Sequence, residues 1–233
     1  AIGDPHGEAL TRQKLGELHR RVGRYDEARL LFQQALPAYR SAGDERAEVH
    51  TIYQLGFLHC RMGEYEAALG LLGQALARLQ EEFEDPVALG KTLIYYSWTL
   101  IELGRFKEAR LFLQEAMKTE SNLHHEATLI DCAVQLGRIA LARNDLNLAR
   151  TCARHALAFV DKHGAWGLEH PALVYLTSYH ILEATQESSE AQLVLQQAQH
   201  YLEMQAAQIE DPQLRHSYLT QIQENREIQA LTG

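Results

Sequence analysis

The most constraining feature of this sequence is a segment that recurs at a nearly fixed interval. Leu15-Gly16-Glu17-Leu18-His19-Arg20-Arg21-Val22-Gly23-Arg24-Tyr25-Asp26-Glu27-Ala28 returns as Leu55-Gly56-Phe57-Leu58-His59-Cys60-Arg61-Met62-Gly63-Glu64-Tyr65-Glu66-Ala67-Ala68. The frame appears again with Ser97, Gly104, Phe106 and Ala109, then with Gly137, Asn144, Leu146 and Ala149. A weaker fifth copy carries Tyr179, Gln186, Ser188 and Ala191. The lead positions Gly16, Gly56, Ser97, Gly137 and Tyr179 lie 40, 41, 40 and 42 residues apart. A period of this order, roughly 20–50 residues, marks stacked supersecondary units that cannot bury their apolar faces alone.

Each residue type in the frame has a physical reason. Small residues at Gly16, Gly56, Ser97 and Gly137 let the first helix of a pair approach the second. Gly23, Gly63 and Gly104 stand where that helix must end, because glycine accepts a positive φ. Tyr25, Tyr65 and Phe106 then open the second helix, and Ala28, Ala68, Ala109, Ala149 and Ala191 fall where helices cross and bulk would overpack. Asp4-Pro5, Asp85-Pro86 and Asp211-Pro212 each give an aspartate cap with proline at the first helical position. Asp44 caps the second repeat, Pro171 lies near the start of the fifth, and Pro37 should bend or end a second helix. The histidines at the shared position, His19 and His59, are expected to pack in the core.

The wider composition agrees. Apolar residues make up 46% of the 233 and proline occurs five times. Leu, Ala, Glu, Gln and Arg, strong helix formers, dominate. The reading is all-α, with about eleven helices. A formal net charge of −9 argues against nucleic acid as a partner, since duplex binders show a basic excess. No apolar run reaches membrane-spanning length, so no membrane partner is expected. The first ten residues lack a basic segment followed by an apolar one. Cys60, Cys132 and Cys152 are odd in number and irregular in spacing, which reads as free thiols and a cytoplasmic location.

The pattern resembles the tetratricopeptide repeat family in a long form, its usual repeat being about 34 residues. The resemblance covers about residues 1 to 205. It is similar to the long repeats of kinesin light chains and of arms of large bacterial signalling and transcriptional regulators. It implies a right-handed α–α superhelix, a solenoid of about five helix pairs plus a C-terminal capping helix. As one domain, 1–233, the repeats fall at about 1–40, 41–81, 82–121, 122–163 and 164–210, with the cap at 211–233. The opening residues align without gaps on Ser41–Gly56, so the chain starts at a repeat boundary, as a piece excised from a longer protein would. The family's aromatic near the start of the first helix is absent, Ile52, Leu93 and Ala133 standing there.

Catalytic and metal readings find little support. No His-Glu-x-x-His, Cys-x-x-Cys, phosphate-binding glycine loop or nucleophile elbow occurs. His124-His125-Glu126 is the densest cluster, at a repeat junction where a solvated helix start explains it. Trp166, in the connection between repeats 4 and 5, is expected to cover that junction. The chain therefore reads as a non-enzyme with no metal and no cofactor.

What remains is recognition. In such a stack the first helices line a concave face. Counting from the frame puts Lys14, Arg20 and Arg21 of repeat 1 there, with Tyr53, Phe57 and Arg61 of repeat 2. Repeat 3 adds Lys91, Tyr95 and Trp98, and repeat 4 adds Arg138. An aromatic centre with arginines is the makeup of an interface hot spot. The local positive balance favours an acidic or carboxylate-bearing protein or peptide. Arg61 and Trp98 are expected to be partly exposed beside one ligand; the opposing reading makes the aromatics core. A second function, effector sensing, would place Arg61, Trp98 and Arg138 around a small molecule in a closed pocket. An apolar N-terminal end would favour end-to-end self-association.

Overall fold

A computed structural model of the chain describes residues 4–123 and 125–232. Those residues form twelve α-helices and no strand: α1 (Pro5–Arg21), α2 (Tyr25–Ala42), α3 (Glu45–Arg61), α4 (Tyr65–Glu81), α5 (Pro86–Glu102), α6 (Phe106–Leu123), α7 (Glu126–Ala142), α8 (Leu146–His163), α9 (Pro171–Ala184), α10 (Ser188–Ala207), α11 (Pro212–Gln221) and α12 (Gln223–Thr232). The chain divides into two compact units, Ala1–Arg105 and Phe106–Gly233; the first contains α1–α5 and the second α6–α12.

The repeated frame becomes repeated geometry. Gly23, Gly63 and Gly104 take φ of 78°, 79° and 70°, and Asn144 and Gln186 take 58° and 63° at the equivalent sites. Each closes the preceding helix with the same two bonds. In the first copy Arg24 N donates to His19 O at 2.8 Å and Gly23 N to Arg20 O at 3.2 Å. Pairs of this 6→1 and 5→2 type satisfy carbonyls that the helix end leaves open. The second helices then begin at Tyr25, Tyr65, Phe106, Leu146 and Ser188, as the frame requires. The expected aspartate caps form: Asp4, Asp44, Asp85 and Asp211 each accept from the amide three residues on, at 2.9–3.0 Å, and Asp145 caps α8 in the same way at 3.2 Å.

In the first unit α1 packs on α2, α2 on α3, α3 on α4 and α4 on α5. A Cβ on Gly16 would stand 2.8 Å from the Phe32 ring, and one on Gly56 2.8 Å from Leu72 Cγ, so these glycines set the helix spacing. Ala28, Phe32, Leu55 and Leu58 form one core cluster, and Ala9, Ala35 and Tyr39 another. In the second unit Ala140, Ala149, Ala153 and Ile181 join α7, α8 and α9.

Of the two outcomes open to Pro37, bending its helix or ending it, the second does not occur: α2 continues to Ala42. Two local expectations are corrected. His19 and His59 are half-buried rather than core, and His59 Nδ1 pairs with the Glu64 carboxylate across the turn. Trp166 does not cover its junction, being 87% exposed. There Leu168 is the buried side chain, and the backbone of Gly167 approaches α7 so closely that a Cβ would lie 3.2 Å from Ala127.

The C-terminal cap is two helices instead of one, which raises the count from eleven to twelve. The chain turns extended at Ile222, φ −76° and ψ 122°. Side-chain amides take up carbonyls near the break: Asn225 Nδ2 donates to Tyr218 O at 2.8 Å and Gln229 Nε2 to Leu219 O at 3.1 Å. α12 lies against α9 and α10, with Ile228 fully buried.

Candidate functional site

In the first unit α1, α3 and α5 are neighbours, and their side chains interlock in one run. Phe57 stacks on Tyr95 with ring centroids 3.9 Å apart and planes 8° from parallel. Phe57 also meets Trp98 edge-on at 5.3 Å, and Tyr53 lies 6.2 Å from Tyr95. Two guanidinium groups cover the rings: Arg20 Cζ stands 5.1 Å from the Phe57 centroid and Arg61 Cζ 5.0 Å from that of Trp98. Contacts of this kind contribute about 0.5–2 kcal/mol each, more when desolvated.

The aromatics are not a contact surface. Phe57 is 0% exposed, Tyr95 1%, and Tyr53 and Trp98 2% each, so the expectation of a part-exposed Trp98 is corrected. The cause lies in the helices: Thr51 through Leu58 are buried without interruption. A helix apolar all round is enclosed on every side. The Trp98 indole still finds a partner, its Nε1 donating to Glu102 Oε1 at 3.0 Å. Arg61 is half-buried, as expected, while Arg20 is sunk to 6% exposure.

The polar groups along this face are Lys14, Arg21, Arg61 and Lys91, with Glu17 and Glu102. Lys14 and Arg21 are exposed and Lys91 half-buried. Lys14 Nζ lies 3.2 Å from Glu17 Oε1. Beside them is a network that the residue count did not assemble. The Tyr39 hydroxyl donates to Gln13 Oε1 at 2.7 Å, and Gln13 Nε2 donates to His50 Nδ1 at 2.5 Å. Burial pushes the His50 imidazolium down to about 4, with Glu17 and Asp85 opposing and Lys14 and Lys91 reinforcing. Gln13 lies on α1 and His50 on α3; Tyr39, on α2, had no signal because its position reads as core.

Arg138 belongs to the second unit, where its Nη1 donates to Gln135 Oε1 at 2.8 Å. His124 lies outside the described residues. Among the described residues no group of three or more His, Cys, Asp or Glu is placed to hold a metal ion, and no helix is long and apolar enough to cross a membrane. Cys60, Cys132 and Cys152 are buried free thiols. A cleft lined in part by Val49, Leu79, Phe83 and Asp85 encloses about 10 Å³, room for one water at most.

Paired helices with a shared turn, a small-residue contact and a polar face over a sealed aromatic floor define a helix-pair repeat scaffold. Tetratricopeptide repeats match residues 9–42 and 48–119, and the chain belongs to the tetratricopeptide repeat family. No curated protein matches it. Solved structures are similar in fold. BtubC from P. vanneervenii superposes with a TM-score of 0.64 at 17% identity, over 85% of this chain and 81% of that one. A Podospora anserina protein described as a kinesin light chain with nearly identical TPR-like repeats gives 0.60 at 15%, over 90% and 100%. A Rap protein complexed with competence and sporulation factor gives 0.68 at 11%, over 96% and 75%.

Proposed function

We propose that this chain is a protein-interaction scaffold that takes a carboxylate-bearing protein or peptide segment along the face of α1, α3 and α5. The observation that carries this reading is the half-buried Arg61, whose guanidinium is held over the Trp98 ring of the next first helix; Arg20, only 6% exposed, is held over Phe57 in the same way but does not itself meet the bound segment. A guanidinium fixed by a ring loses little freedom when it grips a carboxylate in two-point fashion. The buried aromatics thus position the cations, and recognition rests on charge with Lys14, Arg21 and Lys91. Charge-led recognition gives fast, salt-sensitive association. The repeats act in this reading as the recognition arm of a signalling protein, which the fold likeness to a Rap protein solved with its factor supports.

Affinity capture with the intact chain tests it. Wild type should retain a partner at low salt and lose it as salt rises. The Lys14→Glu/Arg61→Glu variant, still folded by circular dichroism, should retain none. Equal retention by both would move the binding surface elsewhere.

A further inference from the structure

One ring nitrogen on α3 stands between two side chains of α1. His50 Nδ1 accepts from Gln13 Nε2 at 2.5 Å, and Glu17 Oε1 lies 4.0 Å from the same nitrogen. Gln13 and Glu17 are four residues apart, so they share one face of α1. The Glu17 carboxylate is at the same time the counter-ion of Lys14, with both of its oxygens 3.2 Å from Nζ. Gln13 is fixed from behind: the buried Tyr39 donates its hydroxyl to Gln13 Oε1 at 2.7 Å. Turning the Gln13 amide over would offer Oε1 to the ring, but would leave the Tyr39 hydroxyl hydrogen facing another donor, and a buried donor without an acceptor is costly.

Nδ1 serves one partner at a time. Neutral, it accepts from Gln13. Protonated, it meets Gln13 donor to donor, and a shift of about 1 Å brings the Glu17 carboxylate into hydrogen-bond range instead. Solvent can deliver the proton, since the His50 side chain is 33% exposed. The charged and titratable groups around the ring are Lys14 and Glu17 on α1, Tyr39 on α2 behind Gln13, Arg46 and Tyr53 on α3 itself, and Asp85 and Lys91 at the start of α5 and beyond it. From α4 comes the apolar Leu79, with Arg78 turned to Glu48 and Glu82. Burial holds the titration of the ring down to about 4, with Glu17 and Asp85 opposing and Lys14 and Lys91 reinforcing.

We propose that His50 is a proton-operated gate on Lys14: on taking a proton at Nδ1 it exchanges Gln13 for Glu17, draws that carboxylate off Lys14, and leaves the ammonium to the carboxylate of a partner. Only the last step rests on the proposed recognition face. Partner binding and proton uptake are then linked, each favouring the other.

NMR of the full chain tests the gate without a partner. The shifts of the Lys14 ammonium nitrogen and of the His50 ring nitrogens are followed from about pH 7 to about pH 4. Lys14 should move in step with the ring as the protonated fraction grows. His50→Asn, which keeps an acceptor toward Gln13, should abolish that step. A Lys14 step that survives in His50→Asn belongs to protonation of Glu17 itself and overturns the proposal. So does a His50 titration that leaves Lys14 unmoved, the result expected if the Gln13 amide turns over. Binding of a hexa-aspartate peptide at low salt reads the last step. Wild type should bind roughly threefold tighter at about pH 5 than at about pH 7, and His50→Asn should lose that gain; an equal gain in both overturns the linkage. A Lys14 step with no peptide binding at either pH supports the gate and overturns the recognition face alone.

Discussion

Arg61 on α3 holds its guanidinium carbon 5.0 Å from the centre of the Trp98 ring on α5, and only the arginine of the pair reaches solvent. The two side chains therefore have different tasks. Trp98, 2% exposed, belongs to the core. Trp98→Ala should cost about 3–5 kcal/mol of stability through lost burial and the cavity left behind. Arg61→Ala should cost no more than about 1–2 kcal/mol, the worth of one cation–π contact. Thermal or denaturant unfolding of both variants checks the division; equal losses would contradict it.

Ala68 and Ala109 occupy the same repeat position in different units, and both are 0% exposed. Leucine at either site forces three more carbons into a closed helix crossing. Each substitution should destabilise by about 1–3 kcal/mol. Melting temperatures within a degree of wild type would show that the crossings have slack.

The repeat architecture was legible because its key positions demand particular residue types. A positive φ asks for glycine or asparagine, and a close crossing for alanine or glycine, so the frame survives even where the rest of a repeat drifts. The aromatic site was only half legible. Counting residues around α3 and α5 presumes a solvent side, and Thr51 to Leu58 has none. Nothing in a one-dimensional pattern separates an aromatic floor open to a ligand from one sealed under arginines. The break at Ile222 was hidden for a related reason. It depends on Asn225 and Gln229 reaching back to carbonyls seven and ten residues away, beyond the range of helix periodicity.

His50 gives the first unit a specific acid response. Its Nδ1 accepts from Gln13 Nε2, so the neutral ring carries its proton on Nε2, and protonating Nδ1 would set donor against donor. Burial and the nearby Lys14 and Lys91 add to the effect, against Glu17 and Asp85, and the folded-state value falls to about 4 from the usual 6.5. Between those values the unfolded chain binds more protons. The contribution of His50 is therefore intact above about pH 6.5 and declines as pH drops toward 4. His50→Asn, which keeps an acceptor facing Gln13, should flatten the slope of unfolding free energy against pH over that window. An unchanged slope would show that His50 titrates normally.

Gln186 ends α9 with φ 63°, in the place that Gly23, Gly63 and Gly104 fill in earlier repeats. Its amide and that of Glu187 make the same closing bonds, to Glu183 O at 3.1 Å and to Leu182 O at 2.8 Å. The geometry is thus kept while the side chain strains against it. A left-handed residue with a Cβ costs about 1–2 kcal/mol, and glycine relieves this while losing about 0.5–1 kcal/mol to the greater freedom of its unfolded state. Gln186→Gly should therefore stabilise the chain by about 0.5–1 kcal/mol. The reverse change at the same position of another repeat, Gly63→Gln, should destabilise by a similar amount, since no neighbour lies within 4 Å of a Cβ there and only backbone strain is altered. Denaturant unfolding of the two variants, read as opposite shifts of the midpoint, checks the pair; shifts of the same sign would show that the turn is held by something other than its φ.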